Sequence, residues 1–460
     1  MINTKRKERV KLSAEAIRLF SDDKEKTAEL FQKEQPFMYD KSGLFWLWNK
    51  EEYKWEMLDE YDLLNILKKR LDPSANLIKN KTWTEIIRAM KLVGRRYQAE
   101  PFKKHWVQFH DTILDLKTNK KIQATSRYFN VNPIPYKLSE RTETPKINKI
   151  LRQWVGKDYI KTVKEIIAYC MLQDYPLHRI FCFIGAGMNG KGECLRLIKR
   201  IIGHENVCST ELDFIIHGRF ETAKLYKKLV CMMGETNFNE MSKTSILKRL
   251  TGGDLIGIEF KNKNPFDTTN YAKLLISTNS LPPTTDKTIG FYRRWLILDF
   301  PNTFTEGKDV LGKISDQEIS NLCTQIIPVL KKLLKKGTFH NDGTLEERKQ
   351  RYELKSNPMP EFINKNYKKV GSSEVPFHEF RDNFLAYLKE RGFRELSSTM
   401  IGNQLKSDGF EIIKKDVNTG EKWTRWRYII GLQSKQETKE QEIEQKQDLS
   451  STIYKTENIK

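Results

Sequence analysis

The sequence predicts an α/β fold built on a largely parallel sheet, with a mainly helical region and a small β-containing module before it and a helix, helix, hairpin module after it. Three observations support this. From residue 180 to 300, apolar strands such as RIFCFI, KLVCMMGE, KLLISTN and WLILDF alternate with amphipathic helices such as CLRLIKRII and SILKRLTGG, the pattern of strands buried on both faces and joined by helical crossovers. A glycine-rich turn, GAGMNGKGE, separates the first of these strands from the first helix. Near the C-terminus two helical stretches run into two strand-like ones joined by the turn signal NTGE.

At 460 residues the chain has room for two to four domains of roughly 100–200 residues each. With 38% hydrophobic residues each can bury a core, which excludes collagen, global disorder and a disulfide-held miniprotein. Lys and Arg number 81 against 60 Asp and Glu, a net charge of +21, which suits a polyanionic partner. The excess is dispersed: residues 101–150 carry 10 basic against 4 acidic side chains, whereas the last 28 residues are nearly neutral. Apolar stretches such as Ile180–Ile184 fall far short of the roughly 20 residues that cross a bilayer, and no signal-peptide stretch follows the basic N-terminus, so no membrane partner is expected. Cys170, Cys182, Cys194, Cys208, Cys231 and Cys323 form no C-x-x-C pair, which predicts reduced thiols in a cytosolic compartment.

Taken in order, residues 1–100 read as a mainly helical domain in which KLSAEAIRLF, AELFQKEQ and DEYDLLNILKKRL bracket an aromatic hairpin, GLFWLWNKEEYKWEML. Residues 101–150 read as a small β linker module, since HWVQFHDTILDLKTNKKI alternates and Pro133 and Pro135 forbid helix. The α/β core spans 151–340: KINKILRQWV and YIKTVKEIIAYCML lead into it, and DQEISNLCTQIIPVLKKLLKK closes it, with Gly337 as its stop and a kink expected at Pro328. A polar bridge is expected near 341–355. Over 356–432 the order of helix, helix and hairpin predicts a winged-helix domain, and 433–460, polar and nearly without aromatics, a disordered tail.

The turn after RIFCFI holds the densest chemistry. Gly185, Gly190 and Lys191 satisfy G-x-x-x-x-G-K in its strand-turn-helix setting. Glycines let backbone N–H groups converge on phosphate oxygens, the helix N-terminus favours the anion, and Lys191 supplies a cation. The ATP site so predicted comprises Gly185, Ala186, Gly187, Met188, Asn189, Gly190, Lys191, Gly192 and Glu193. Gly192 stands where the motif expects a Ser or Thr hydroxyl for Mg2+; either water or Glu193 fills that position.

These motifs, with Glu235 ending KLVCMMGE, TGGD at 251–254, Asn279 ending KLLISTN, LPPTTD and RRWLILDFP in that order, resemble the superfamily 3 helicases, AAA+ P-loop ATPases, and in particular the helicase half of phage, plasmid and poxvirus primase-helicases. The resemblance covers roughly residues 35–432. It implies an ATP-dependent replicative DNA helicase of a virus, phage or plasmid-like mobile element in a host cytoplasm, working with ATP and Mg2+ on single-stranded and forked DNA. It further implies a homo-oligomeric ring, a hexamer, moving 3′ to 5′. Glu235 takes the roles of catalytic carboxylate and metal ligand, with Gly234 where a second acid often stands, and Asn279 contacts the γ-phosphate or the attacking water. Arg293 or Arg294, Arg294 slightly preferred, is the arginine finger reaching the neighbouring subunit's nucleotide. Lys261 and Lys263, flanking Asn262, lie at the tip of a channel hairpin that grips DNA.

In the winged-helix module, Ser397 offers an N-cap, Asn403, Gln404 and Lys406 face outward, and Lys414, Lys415, Lys422, Arg425 and Arg427 are wing candidates for DNA; the module equally suits a protein contact. No D-x-D strand precedes the core, and DEYD at 59–62 reads as a helix cap, so primase or polymerase activity belongs to a separate partner. A rival reading is an ATP-switched origin-binding or loading factor without unwinding activity, which Gly192 and Gly234 keep open.

Overall fold

A computed structural model describes residues 23–71, 80–185, 187–234, 241, 243–261, 263–305, 309–391, 393, 395–418 and 423–435. The helix read over KLSAEAIRLF and most of the tail predicted from 433 onward lie outside these residues. Among the described residues no helix is long and apolar enough to cross a membrane.

Helix α1 (Lys24–Glu34), capped by the Asp23 carboxylate, precedes strands β1 (Phe37–Tyr39), β2 (Phe45–Asn49) and β3 (Lys54–Leu58). The strands form an antiparallel sheet in which Trp48 faces Trp55, so the aromatic hairpin takes the predicted place. Helices α2 (Glu60–Leu71) and α3 (Asn80–Arg96) join α1 over one sheet face around Phe37 and Phe45. Asp59 of the DEYD segment accepts from the Asp62 N–H at 2.7 Å and caps α2.

Residues 97–144 hold no helix. Strands β4 (Glu100–Pro101) and β8 (Tyr128–Phe129) pair in parallel, and β5 (Trp106–Phe109), β6 (Thr112–Asp115) and β7 (Lys121–Gln123) form an antiparallel sheet. The Gln108 amide donates to Tyr53 O at 2.6 Å on one side, and Asn132 donates to Asn206 Oδ1 at 2.9 Å on the other. The module is therefore wedged between its neighbours rather than strung between them.

Helix α4 (Pro145–Cys170) is two helices merged across Gly156, whose φ of 76° breaks the run between KINKILRQWV and YIKTVKEIIAYCML. Next come β9 (Ile180–Ile184), α5 (Lys191–Ile202), β10 (Val207–Thr210), α6 (Leu212–His217), β11 (Val230–Met233), α7 (Ser245–Gly252), the hairpin β12 (Leu255–Ile258) and β13 (Phe266–Thr269), β14 (Lys273–Thr278), α8 (Ile289–Tyr292) and β15 (Trp295–Asp299). Five strands form one parallel sheet in the order β10-β11-β14-β9-β15. Alternate residues of β9 serve opposite cores. Phe181 and Phe183 pack with α4 and α5, and Ile180, Cys182 and Ile184 with α7 and α8, so an all-apolar strand is required. The chain leaves β9 toward the β10 edge and returns past it to β15. The strand order thus reverses at β9, and the crevice outside the carboxyl ends there is where open α/β sheets bind ligands.

Helix α9 (Asp316–Lys336), capped by Ser315 and ended by left-handed Gly337, carries Pro328 within it. The predicted polar bridge is corrected: residues Leu345–Ser356 form helix α10, begun by a capping box between Thr344 and Glu347. The C-terminal module comprises α11 (Met359–Asn366), β16 (Tyr367–Pro376), α12 (Phe377–Glu390), α13 (Ser398–Ser407), β17 (Ile412–Asn418) and β18 (Trp423–Ser434), with sheet order β16-β18-β17 around a core of Phe362, Phe380, Phe384 and Leu405.

Candidate functional site

The glycine-rich turn sits at the carboxyl end of β9. Gly190 has a φ of +87° and lies against the Trp154 ring, where any Cβ would overlap the indole; Gly185 is as tightly backed, since a Cβ there would fall 2.6 Å from Phe300 O. These two positions admit only glycine. Helix α5 begins at Lys191, so its first N–H groups face the turn.

Lys191 is 6% exposed. Its ammonium donates to Gly185 O, to Asn189 Oδ1 at 3.1 Å and to Asn279 Oδ1 at 3.2 Å. Asn279 reaches it because β14, which it follows, lies beside β9. Asn189 is buried and its amide donates to Phe300 O at 3.3 Å, while Met188, with a φ of 55°, stands largely exposed on the outer side of the turn. A buried ammonium holding uncharged oxygens at a helix N-terminus can exchange them for phosphate oxygens with little rearrangement. The residues therefore fit the polyphosphate of a nucleotide.

The metal side is sparser. Ala186 and Glu235 lie outside the described residues; the end of β11, which Glu235 follows, is two strands from β9, roughly 10 Å at usual strand spacing. A Cβ at Gly192 or at Gly234 would meet nothing within 4 Å, so steric crowding does not account for glycine at either place. Glu193 pairs with Arg196 at 2.9 Å. Among the described residues, which do not include Glu235, no cluster of three or more His, Cys, Asp or Glu gathers.

On the other flank, Asp299 ends β15 and receives Arg351 at 2.6 Å and Lys355 at 2.8 Å from α10. Burial would raise this carboxyl, but Lys355 and Arg351 hold it below the usual range. These two cations, on a carboxylate that pairs in register with Ile184 beside the glycine-rich turn, were not anticipated from the sequence. The signal that could have revealed them is the T-x-x-E capping box opening LEERKQRYELKS.

The two finger candidates part company. Arg294 is buried: its guanidinium donates to Thr251 Oγ1 at 2.8 Å, to Lys248 O at 3.2 Å and to Gly290 O. Burial and the adjacent Arg293 lower its pKa. Arg293 is exposed. The sequence preference for Arg294 thus meets a side chain committed within its own subunit.

Strands β12 and β13 form the predicted hairpin, with Lys261 and Lys263 both exposed near its tip and Asn262 outside the described residues. Phe260 and Phe266, at the loop end of the hairpin, pack on Tyr226, with centroids 5.8 and 5.2 Å away. In the C-terminal module Ser397 caps α13, accepting from Met400 N–H at 3.3 Å. Asn403 and Lys406 are exposed and Gln404 half-buried. On the hairpin β17-β18, Arg425 is exposed, whereas Arg427 lies over the Phe377 ring at 3.9 Å and Lys415 pairs with Glu374 at 2.5 Å; Lys422 lies outside the described residues.

Residues 183–294 match a family model described as a family of unknown function, DUF5906. No curated protein matches the chain. Among solved structures, the A form apo structure of the NrS-1 C-terminal region is 14% identical, with 88% of this chain and 97% of that one covered at a TM-score of 0.42. A second A form apo structure of that region, spanning its residues 305–718, is 13% identical at 90% and 99% coverage with a TM-score of 0.41. A further apo structure of the same span is 14% identical at 91% and 100% coverage with a TM-score of 0.44.

Proposed function

We propose that the chain is a ring-forming ATPase that unwinds duplex DNA, a helicase of the superfamily 3, AAA+ kind with a winged-helix module at its C-terminal end. The observation that carries this is the placement of Lys191: buried, at the start of α5, at the point where the strand order reverses, and bonded across to Asn279 on the neighbouring strand. ATP supplies a cleavable phosphoanhydride there. Lys191 exchanges the oxygens of Gly185, Asn189 and Asn279 for phosphate, the α5 N–H groups cradle the same anion, and Asn279, freed from Lys191, orients the attacking water. Glu235 accepts the proton of that water. Arg293, exposed where Arg294 is not, extends to the neighbouring subunit's site, which calls for head-to-tail, closing interfaces; by resemblance the ring is a hexamer moving 3′ to 5′. Lys261 and Lys263 grip a strand's phosphates without reading bases. Single-stranded and forked DNA are its substrates, and a separate primase or polymerase its partner.

A second reading, an ATP-switched origin-binding or loading factor, draws on Gly192 and Gly234, which leave the metal fewer protein oxygens than a fast hydrolase commonly offers. Fork-unwinding assays on 3′-tailed and 5′-tailed duplexes separate the two. The wild type opens the 3′-tailed fork, and Lys191→Ala and Glu235→Gln do not. DNA binding with neither fork opened at any ATP concentration would sink the helicase reading and leave the loader.

A further inference from the structure

A cavity of about 240 Å3 lies where the β linker module meets the base of the hairpin β12-β13. Its walls include Phe102, Phe129, Tyr226 and Tyr271, with Lys104 and Lys227 among them. The size is below the roughly 300 Å3 at which pockets for drug-sized ligands begin, and suits a flat fragment such as one nucleobase.

Lys227 is the telling residue. Its ammonium lies 5.0 Å from the Phe129 ring centre and 5.6 Å from that of Tyr226. Among the described residues no carboxylate pairs with it at ion-pair distance; the charge it senses is the more distant Asp40. Burial holds its ammonium below the usual lysine range. Its backbone adopts a φ of 55°, left-handed geometry that a non-glycine residue keeps only where the surroundings impose it. Asn132, donating to Lys227 O at 2.9 Å, is part of what imposes it. Lys104, at the rim, is exposed and pairs with Asp174 at 3.3 Å. A half-buried cation stacked on rings, in a cavity walled by further rings, is the arrangement by which proteins hold a nucleic-acid base and its phosphate together.

We infer that this cavity binds one nucleotide of a single DNA strand, its base among the aromatic walls and its phosphate on Lys227 and Lys104. The inference rests on the motor reading only in taking DNA as the ligand; the contact is separate from the hairpin tip. Its consequence is mechanical. Tyr226 forms a wall of the cavity and also carries Phe260 and Phe266 at the loop end of the hairpin, so a nucleobase seated here bears on the element that grips the strand. It also gives Lys104, one of the ten basic side chains of residues 101–150, a role.

The test uses the full chain without ATP and a 20-nucleotide oligothymidylate carrying 5-iododeoxyuridine. Photo-cross-links are expected on peptides containing Phe129, Tyr226 or Tyr271. Lys227→Met keeps the aliphatic stem over the rings and removes the charge; it should weaken oligonucleotide binding about tenfold and lower the salt slope by about one. DNA-independent ATP hydrolysis should be unchanged. Lys104→Ala, at an exposed position, should weaken binding severalfold and serves if Lys227→Met proves poorly folded by circular dichroism. Cross-links confined to the hairpin tip and the C-terminal module, or wild-type affinity and salt slope in both variants, overturn the inference. Free dTMP binding as tightly as the oligonucleotide also overturns it, since the site then serves a mononucleotide. A chain that hydrolyses no ATP yet loses affinity on Lys227→Met keeps the cavity and loses the motor; one that unwinds forks yet is indifferent at 227 does the reverse.

Discussion

Replacing Arg293 and Arg294 separately with alanine should give opposite defects. Arg294→Ala strips donors from Thr251 Oγ1, Lys248 O and Gly290 O. At roughly 1–3 kcal/mol for each buried acceptor left unsatisfied, and allowing for relaxation, the fold should lose about 3–5 kcal/mol. In a domain of this size that lowers the melting temperature by about 10 °C. Arg293→Ala touches an exposed side chain and should leave stability within about 0.5 kcal/mol. An arginine supplied across an interface is worth about a thousandfold or more in turnover, so Arg293→Ala should slow hydrolysis by about that factor while nucleotide still binds. Mixing adds a positive arm. An Arg293→Ala subunit retains its own Lys191, and a Lys191→Ala subunit retains its own Arg293, so mixed rings should regain part of the activity that each variant lacks alone. Differential scanning calorimetry and a phosphate-release assay read both effects. Wild-type hydrolysis by Arg293→Ala, together with a stably folded but inactive Arg294→Ala and no recovery on mixing, would refute the assignment.

Two further outcomes follow from the geometry. Lys273, fully buried at the start of β14 with its ammonium donating to Leu172 O and lying 5.2 Å from the Tyr169 ring centre, has its pKa pushed down by burial to about 7. The unfolded chain, with an ordinary lysine, binds the proton more readily above pH 7, so stability should rise by about 2 kcal/mol from pH 7 to 9, and Lys273→Met should flatten that rise in urea titrations. Gly192→Ser places a hydroxyl in open space one residue after Lys191; the Mg2+ concentration for half-maximal hydrolysis should fall severalfold if the metal sits at the phosphates, and an unchanged requirement places it elsewhere.

Much of the fold is legible because its strands are buried on both faces. The apolar runs IFCFI and KLLIST read as such strands, and glycines backed by Phe300 O at Gly185 and by the Trp154 ring at Gly190 hold the turn that follows the first of them. Helix α10 escapes such reading because it is held by charge as much as by apolar surface: LEERKQRYELKS buries Tyr352 and docks through polar contacts that include Arg351 and Lys355, whose partner Asp299 is some fifty residues away. Strand β16 escapes for a related reason, since YKKVGSSEVP is mostly exposed and pairs with β18 across a register shift between Lys369 and Glu374. Adjacent arginines cannot be told apart in sequence; Arg294 is set apart by Thr251, which only the docking of α7 against α8 brings near.

Helix α10 lies along β15, the outer strand of the parallel sheet, and so shields an edge that could otherwise recruit another strand. It is stitched there by Tyr352 to Pro282 O at 2.9 Å, by Glu353 to the Tyr292 hydroxyl at 3.0 Å and by the Lys355 carbonyl to Leu281 N–H at 3.0 Å. Only Asn357 and Pro358 separate it from α11, and a residue before proline has little freedom. The C-terminal module is thus mounted on a stiff lever rather than a tether. On the proposed motor reading, a load on it would pass through α10 to Asp299, which ends the strand beside the glycine-rich turn, and to Tyr292, the neighbour of Arg293.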